Sequence, residues 1–253
     1  MKTRCTIVSL LLVVFACVLP SGQAQTPRRT VWNGIYTAEQ AVRGEASYKQ
    51  NCSRCHGASL EGTQGNGLVG KDFMDRWRED SMGSLFQFVS ESMPPIRRGQ
   101  GRPLISIPTY LDIVAFVLSK NDFPAGPAPL AAEGLDDVLV QYKDGPQPLP
   151  NGALVRISGC LTGSGQNWMI ESASDPIRTR TSETTDYGEF HEAETANPGK
   201  QNFKLFNMGM LGNVFKPEGN AGAKLLVKGN LIRQTDSMRI SVLAIRKVAD
   251  TCP

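Results

Sequence analysis

A chain of 253 residues with 27 Lys and Arg against 24 Asp and Glu is close to charge balance. Both halves repeat that balance, with 12 basic and 10 acidic side chains in residues 25–130 and 13 and 14 in residues 131–253. Neither half has the basic excess of a nucleic-acid binder, and the length allows one large domain or two modest ones.

The N-terminus reads as a targeting segment. Lys2 and Arg4 precede an apolar run over residues 7–19, and Ser21-Gly22-Gln23-Ala24 offers small residues for cleavage. Residues 1–24 are therefore expected to be a secretory signal peptide, too short in its apolar part for a comfortable membrane span. Val14-Phe15-Ala16-Cys17 also resembles a lipobox, which would leave Cys17 lipidated and the chain held at a membrane, although Phe15 fits that motif poorly. No later run approaches the roughly 18 apolar residues that a span requires.

Thr37 and Gln40 have the spacing of a helix capping box. The helix predicted after them, to about residue 50, carries Ala41, Gly44 and Tyr48 on one face. Gly44 costs an isolated helix about 1 kcal/mol relative to Ala, so a second helix is expected to cross closely there.

Next comes Asn51-Cys52-Ser53-Arg54-Cys55-His56-Gly57. Two thiols three positions apart, with a histidine directly after the second, read as a c-type haem attachment site. Each sulfur can add to a haem vinyl group as a thioether, and His56 beside the ring plane can bind the iron. Zinc would need four good ligands, and the only other histidine is His191, with Cys160 and Cys252 remote. A redox dithiol belongs in a βαβ context, and none surrounds these cysteines.

Gly57, Gly62, Gly65, Gly67 and Gly70 then mark an irregular loop. It is no phosphate cradle, because no strand precedes it and no Gly-Lys-Ser/Thr follows. Leu68, Phe73 and Trp77 supply apolar surface for a haem crevice or for an ordinary core. Met82, Leu85, Phe86 and Val89 predict a second helix over residues 83–90. It ends at Met93-Pro94-Pro95, since a residue before proline is driven out of the helical region. Met93 is thereby expected on a stiff, extended turn. A third helix follows Pro108, and its face of Tyr110, Leu111, Ile113, Val114, Val117 and Leu118 is the natural partner for Gly44.

Taken in order, Gly44-x3-Tyr48-x3-Cys52-x2-Cys55-His56-Gly57, Leu68-x-Gly70-x2-Phe73, Met93-Pro94-Pro95 and Tyr110-Leu111-Asp112-Ile113-Val114-Ala115-Phe116 resemble a class I c-type cytochrome. The resemblance covers roughly residues 35–122 and places a cytochrome c domain at 30–122. It implies an all-α fold in which the first and last helices cross over one covalently attached haem c. Cys52 and Cys55 would carry the thioethers, His56 would be the proximal ligand and Met93 the distal one. Met74 and Met82 are rivals for the distal place, but Met82 lies on an apolar helix face and Met74 lacks a stiffening proline. The family's usual proline is missing from Gly65-Asn66-Gly67. A backbone carbonyl there often accepts the proximal imidazole N–H, so this departure puts that contact in doubt.

Residues 123–152 are rich in Pro, Gly and Ala and read as a semi-rigid linker, with one short element over residues 135–142. Beyond it the pattern changes to period two. Val155, Ile157 and Leu161, then Trp168 and Ile170, Phe203 and Leu205, Leu225, Val227 and Leu231, and Met238, Ile240, Val242 and Ala244 predict about five strands. Residues 153–253 are therefore expected to be a small all-β domain, an OB-like barrel or a sandwich, which makes the chain multidomain. The polar residues 172–201 would be an excursion from it. Cys160 and Cys252 are left as one pair for a disulfide in an exported protein, closing a loop of about 90 residues worth roughly 4–5 kcal/mol. His191 stands among Glu189, Glu192 and Glu194, a solvated acidic stretch rather than a metal site.

The functional expectation is an exported, periplasmic mono-haem cytochrome that carries single electrons and is not an enzyme. With His56 and Met93 filling both axial positions, no vacancy is left for a substrate. Its partners would be redox proteins. The Met-Pro-Pro segment resembles cytochromes that serve quinoprotein alcohol dehydrogenases, which makes a periplasmic dehydrogenase the donor by analogy. Two other readings stay open: a haem enzyme or gas sensor with a labile sixth ligand, and a binding module in the C-terminal domain regulated by the haem domain.

Overall fold

The computed structural model describes residues 29–252 except 97, 98, 100, 102 and 213, so the expected signal peptide and lipobox lie outside the described residues. Two separate apolar cores organise the chain, one under the helices and one inside a six-stranded sheet.

Helix α1 is Ala38–Asn51, and the Thr37 hydroxyl caps it by accepting from the Gln40 N–H at 3.2 Å. The Gln40 side chain does not close the expected capping box. It is buried, donates to the Leu130 carbonyl at 3.0 Å and accepts from the Leu130 N–H at 2.7 Å. α1 crosses α5, Ile107–Lys120, at the predicted glycine. A Cβ on Gly44 would lie 1.8 Å from the Asp112 carbonyl oxygen, so only hydrogen fits between the two helices. Beside the crossing, Arg43 grips Asp112 through two 2.9 Å hydrogen bonds, and the Tyr48 and Phe116 rings sit 5.3 Å apart. The short α2 (Ser53–His56), α3 (Gly70–Trp77) and α4 (Met82–Ser92) fill in between.

Three short strands close this unit: β1 (Arg29–Thr30) runs parallel to β3 (Val138–Val140), and β2 (Asp80–Ser81) pairs with β3 antiparallel. The expectation of a bare linker over residues 123–152 needs correction. Phe123, Leu130, Leu135, Val138 and Val140 are buried in the helical core. Proline and glycine keep this backbone extended, but apolar side chains at intervals along it still gain about 25 cal/mol for each Å² they bury. The short element expected at 135–142 is a 3₁₀ turn, Leu135–Asp137, leading into β3.

The second unit contains β4 (Leu154–Ser164), β5 (Asn167–Ala173), β6 (Ile177–Arg178), β7 (Gln201–Phe206), β8 (Lys224–Gln234) and β9 (Ser237–Ala249). Pairing runs β4–β5–β7–β9–β8 and returns to β4, with β6 added on the outer side of β4. Every contact in that circuit is antiparallel except β7–β9, which is parallel. The inward residues are those of the period-two pattern: Val155, Ile157, Leu161, Trp168, Ile170, Phe203, Leu205, Leu225, Val227, Leu231, Ile240 and Val242 are all buried. Cys160 and Cys252 are bridged, with their Cα atoms 5.8 Å apart.

Residues 172–201 are not a free excursion. They contain β6 and α6 (Tyr187–Thr195), and α6 is held by basic side chains of the sheet. Lys228 is fully buried, pairs with Glu189 and donates to the Thr181 hydroxyl at 3.1 Å. Lys224 donates to the Glu194 and Ala196 carbonyls at 2.9 and 2.6 Å, where a helix C-terminus favours a cation. No described helix is long and apolar enough to cross a membrane.

Candidate haem site

The attachment motif is set by where α1 stops. Cys52 ends α1 with its N–H still bonded to the Tyr48 carbonyl at 2.8 Å, and α2 then turns Cys55 and His56 back along the same side. Gly57 stops α2 at φ +83°, where a Cβ would run into the Glu61 carboxylate. The chain doubles back at once. Gly62 N–H bonds the His56 carbonyl, and Thr63 and Gly65 N–H groups bond the Cys55 carbonyl, all within 2.8–3.1 Å. The Tyr48 hydroxyl pins the turn from below by donating to the Gly57 carbonyl at 2.7 Å.

This doubling back supplies the contact that the missing proline put in doubt. His56 Nδ1 lies 2.7 Å from the Asn66 carbonyl oxygen, so Nδ1 carries the proton and Nε2 keeps its lone pair. Gly65 passes flat against the ring: a Cβ there would lie 2.8 Å from Cε1 and 3.0 Å from Nδ1 of His56. The loop is fixed farther on by Asn121, which donates to the Leu68 carbonyl and accepts from the Gly70 N–H, both at 2.9 Å.

A cavity of about 780 Å³ opens over this turn, within the range of ligand and cofactor sites. Cys52, Cys55 and His56 form one wall, Leu68, Phe73 and Trp77 another, and Leu85, Phe88, Ile113 and Val114 reach in from α4 and α5. Met93 and Pro94 line it as well. Met93 has left the helix, with φ −116° and ψ 144°, the extended conformation expected before proline. Its carbonyl accepts the Tyr110 hydroxyl at 2.5 Å, which ties the methionine segment to α5. Met82 and Met74 are buried in the core and do not line the cavity.

Burial, and secondarily the neighbouring Cys55, pushes the Cys52 thiol up to about 11. It is therefore protonated at neutral pH, and S–H is the bond that adds across a vinyl group. Burial pushes the Tyr48 hydroxyl up to about 12, keeping it a donor to Gly57. Two thiols, an imidazole presenting Nε2 and an apolar slot bounded by a thioether side chain fit a haem. Residues that motif reading missed are Asn66, which acts through its backbone oxygen, and Tyr110, which the helix pattern marked only as apolar.

His191 stands elsewhere. It is exposed on α6 with Nδ1 3.4 Å from Glu194, and among the described residues no group of three His, Cys, Asp or Glu could hold a metal ion.

The helical unit and its cysteine–histidine turn resemble a c-type cytochrome domain, and such a domain implies covalently bound haem c. Residues 39–104 match the family model described as Cytochrome C oxidase, cbb3-type, subunit III. The match spans the attachment turn, the glycine loop and Met93, and supports the c-type cytochrome domain in that part of the chain. No curated protein and no solved structure matches the chain.

Proposed function

We propose that this protein is an exported mono-haem cytochrome that relays single electrons between a periplasmic dehydrogenase and a downstream acceptor. The observation that carries the reading is the Asn66 carbonyl on His56 Nδ1, in a cavity that Met93 alone of the post-motif methionines lines. His56 Nε2 and Met93 Sδ would be the axial ligands, with Cys52 and Cys55 as covalent attachments. The haem supplies one-electron chemistry at a potential that methionine ligation raises.

The chain's own residues do the rest. The Asn66 oxygen fixes the tautomer and turns the imidazole, a hydrogen bond of the kind that also raises ligand basicity. Leu68, Phe73, Trp77 and Phe88 exclude water, so a change of charge meets few solvent dipoles that must reorient. Tyr110 holds the Met93 segment at the carbonyl, which keeps the side chain from withdrawing. Export rests on the signal-like residues 1–24, and a membrane anchor would follow only if Cys17 is lipidated. The family model over residues 39–104 and the quinoprotein analogy both support the reading of a domain that passes electrons to redox partners.

For residues 153–253 we infer an OB-like barrel. The closed circuit of pairing with one parallel contact supports it. So do Gly159 and Gly229, inside β4 and β8, where a Cβ would meet neighbouring strands at 2.6 and 2.2 Å.

The deciding experiment is the optical spectrum of the purified ferric protein and of Met93→Ala. A low-spin spectrum with the far-red methionine–iron band, lost in the variant, is expected. Persistence of that band in Met93→Ala, or ready CO binding by the ferrous wild type, would overturn the carrier reading in favour of another ligand or a labile sixth position.

A further inference from the structure

The β unit does not simply trail the haem unit. Arg178 on β6 donates to the Arg78 and Asp75 carbonyls at 2.9 and 3.1 Å, closing the C-terminal end of α3. Arg180 donates to the Arg76 carbonyl at 3.0 Å, pairs with Asp80, and lays its guanidinium 4.2 Å over the Trp77 ring. Trp77 is a wall of the haem cavity. The two units therefore meet on the haem's own housing.

Where they meet they leave a cleft of about 670 Å³. Arg76, Arg178 and Arg180 line it, together with Asn151, Thr179 and Asn230. Of the carboxylates that also line it, Asp75 pairs with Lys71 and Arg78, whereas Glu91 is exposed to solvent and accepts from the neutral Gln87. Among the described residues, neither Arg76 nor Arg178 has a carboxylate within ion-pair distance, whereas Arg180 has Asp80. Burial, with Arg180 beside it, pushes the Arg178 guanidinium down to about 10. Arg178 spends its donors on the two carbonyls and feels Asp80, so the Arg76 guanidinium, laid over the Trp77 and Phe88 rings, is the fork ready for a carboxylate or phosphate. Arg76 and Phe88 line this cleft and the haem cavity alike, so they are the partition between the two.

We propose that the inter-unit cleft is a binding site for a small free oxyanion, a carboxylate or phosphate, and that its occupancy is felt at the haem through Arg76. Pockets between domains are common ligand sites, and this one has the size, the donors and, in Arg76, a cation with no ion pair among the described residues. An anion seated on Arg76 would lower the haem potential, because negative charge near the iron favours the ferric state. The coupling rests on the haem assignment, whereas the binding does not.

The test uses the full-length holoprotein. Binding of inorganic phosphate and of citrate is measured by calorimetry, and the haem midpoint potential is followed with each anion and with chloride at matched ionic strength. Binding of phosphate or citrate with a fall in potential that chloride does not reproduce is expected. Arg76→Gln removes a lining cation, and Gln87→Glu adds a carboxylate at an exposed lining position without touching the unit–unit contacts; each should weaken binding by about tenfold or more. Absence of binding by either anion, unchanged affinity in both variants, or binding without movement of the potential would overturn the proposal. If the haem's own carboxylates fill the cleft, the holoprotein binds no added anion and Arg76→Gln alone moves the potential, which also overturns it. Failure of the haem assignment shows separately, as absence of covalently bound haem after denaturing electrophoresis.

Discussion

Gly44→Ala is the sharpest probe of how the haem unit is assembled. In an isolated helix this change stabilises by about 1 kcal/mol. In place, the added methyl carbon would sit 1.8 Å from the Asp112 oxygen and 2.9 Å from the Phe116 Cβ. The first obstacle is backbone, which cannot turn aside as a side chain can. α1 and α5 would have to part by at least about 1 Å, an overpacking that costs roughly 1–3 kcal/mol. Separation also loosens the Tyr48–Phe116 ring pair, worth about 0.5–1.5 kcal/mol, and the Arg43–Asp112 pair, worth less because Arg43 is exposed. After the propensity gain is subtracted, a net loss of about 1–3 kcal/mol remains, or roughly 5–15 °C for a unit of this size. Thermal unfolding followed by the helical circular-dichroism signal measures it. Val42→Ala is the reference, since Val42 is 70% exposed on the same helix and its loss should shift the midpoint by no more than a degree or two, about the scatter of surface changes. A Gly44→Ala protein that melts at or above wild type would refute the close crossing.

Three further outcomes are expected. Gly65→Ala should press a methyl against the His56 ring and loosen the Asn66 contact, raising the haem potential or lowering the yield of attached haem; redox titration and haem staining read both, and an unchanged pair would show that Gly65 does not position the ring. Reducing the Cys160–Cys252 bridge should cost the β unit roughly 4–5 kcal/mol in the chain-entropy picture, seen as a lower denaturant midpoint with reductant present. Stability should be level below pH 10 on Tyr48's account and fall between about 10 and 12. Its folded pKa is raised to about 12, so the unfolded chain loses that proton first, and Tyr48→Phe should remove this part of the alkaline loss in pH-dependent unfolding.

Much of the helical unit was legible because its constraints are local. Gly44, Tyr48, the cysteine–histidine turn and Met93-Pro94 each announce a backbone requirement within a few residues, and α1, α4 and α5 fall where periodicity put them. The β strands were legible for the same reason, since a half-buried strand must alternate. What escaped were contacts made by groups every residue possesses. Asn66 serves through its carbonyl, which no side-chain pattern can mark. Gln40 fits a capping box but spends its amide on Leu130, ninety residues away in sequence, and so betrays the docked return of residues 123–142. Arg178 and Arg180 lie in a polar stretch without periodicity, yet they join the two units.

The bridge between β4 and the end of the chain has a consequence for how the protein must be made. The proposed thioethers would need Cys52 and Cys55 as thiols, while the Cys160–Cys252 bridge needs an oxidant, and the same compartment would have to satisfy both. As the chain emerges, Cys160 follows the haem pair long before Cys252 arrives, 92 residues later. During that interval the thiols among the described residues that Cys160 can meet are Cys52 and Cys55, the pair that the proposed function assigns to haem. A mispaired Cys55–Cys160 bridge would block attachment and leave Cys252 stranded. If the chain is exported and carries haem as proposed, biogenesis becomes a race between haem ligation and oxidation, in which early capture of haem would remove the wrong partners before Cys252 appears.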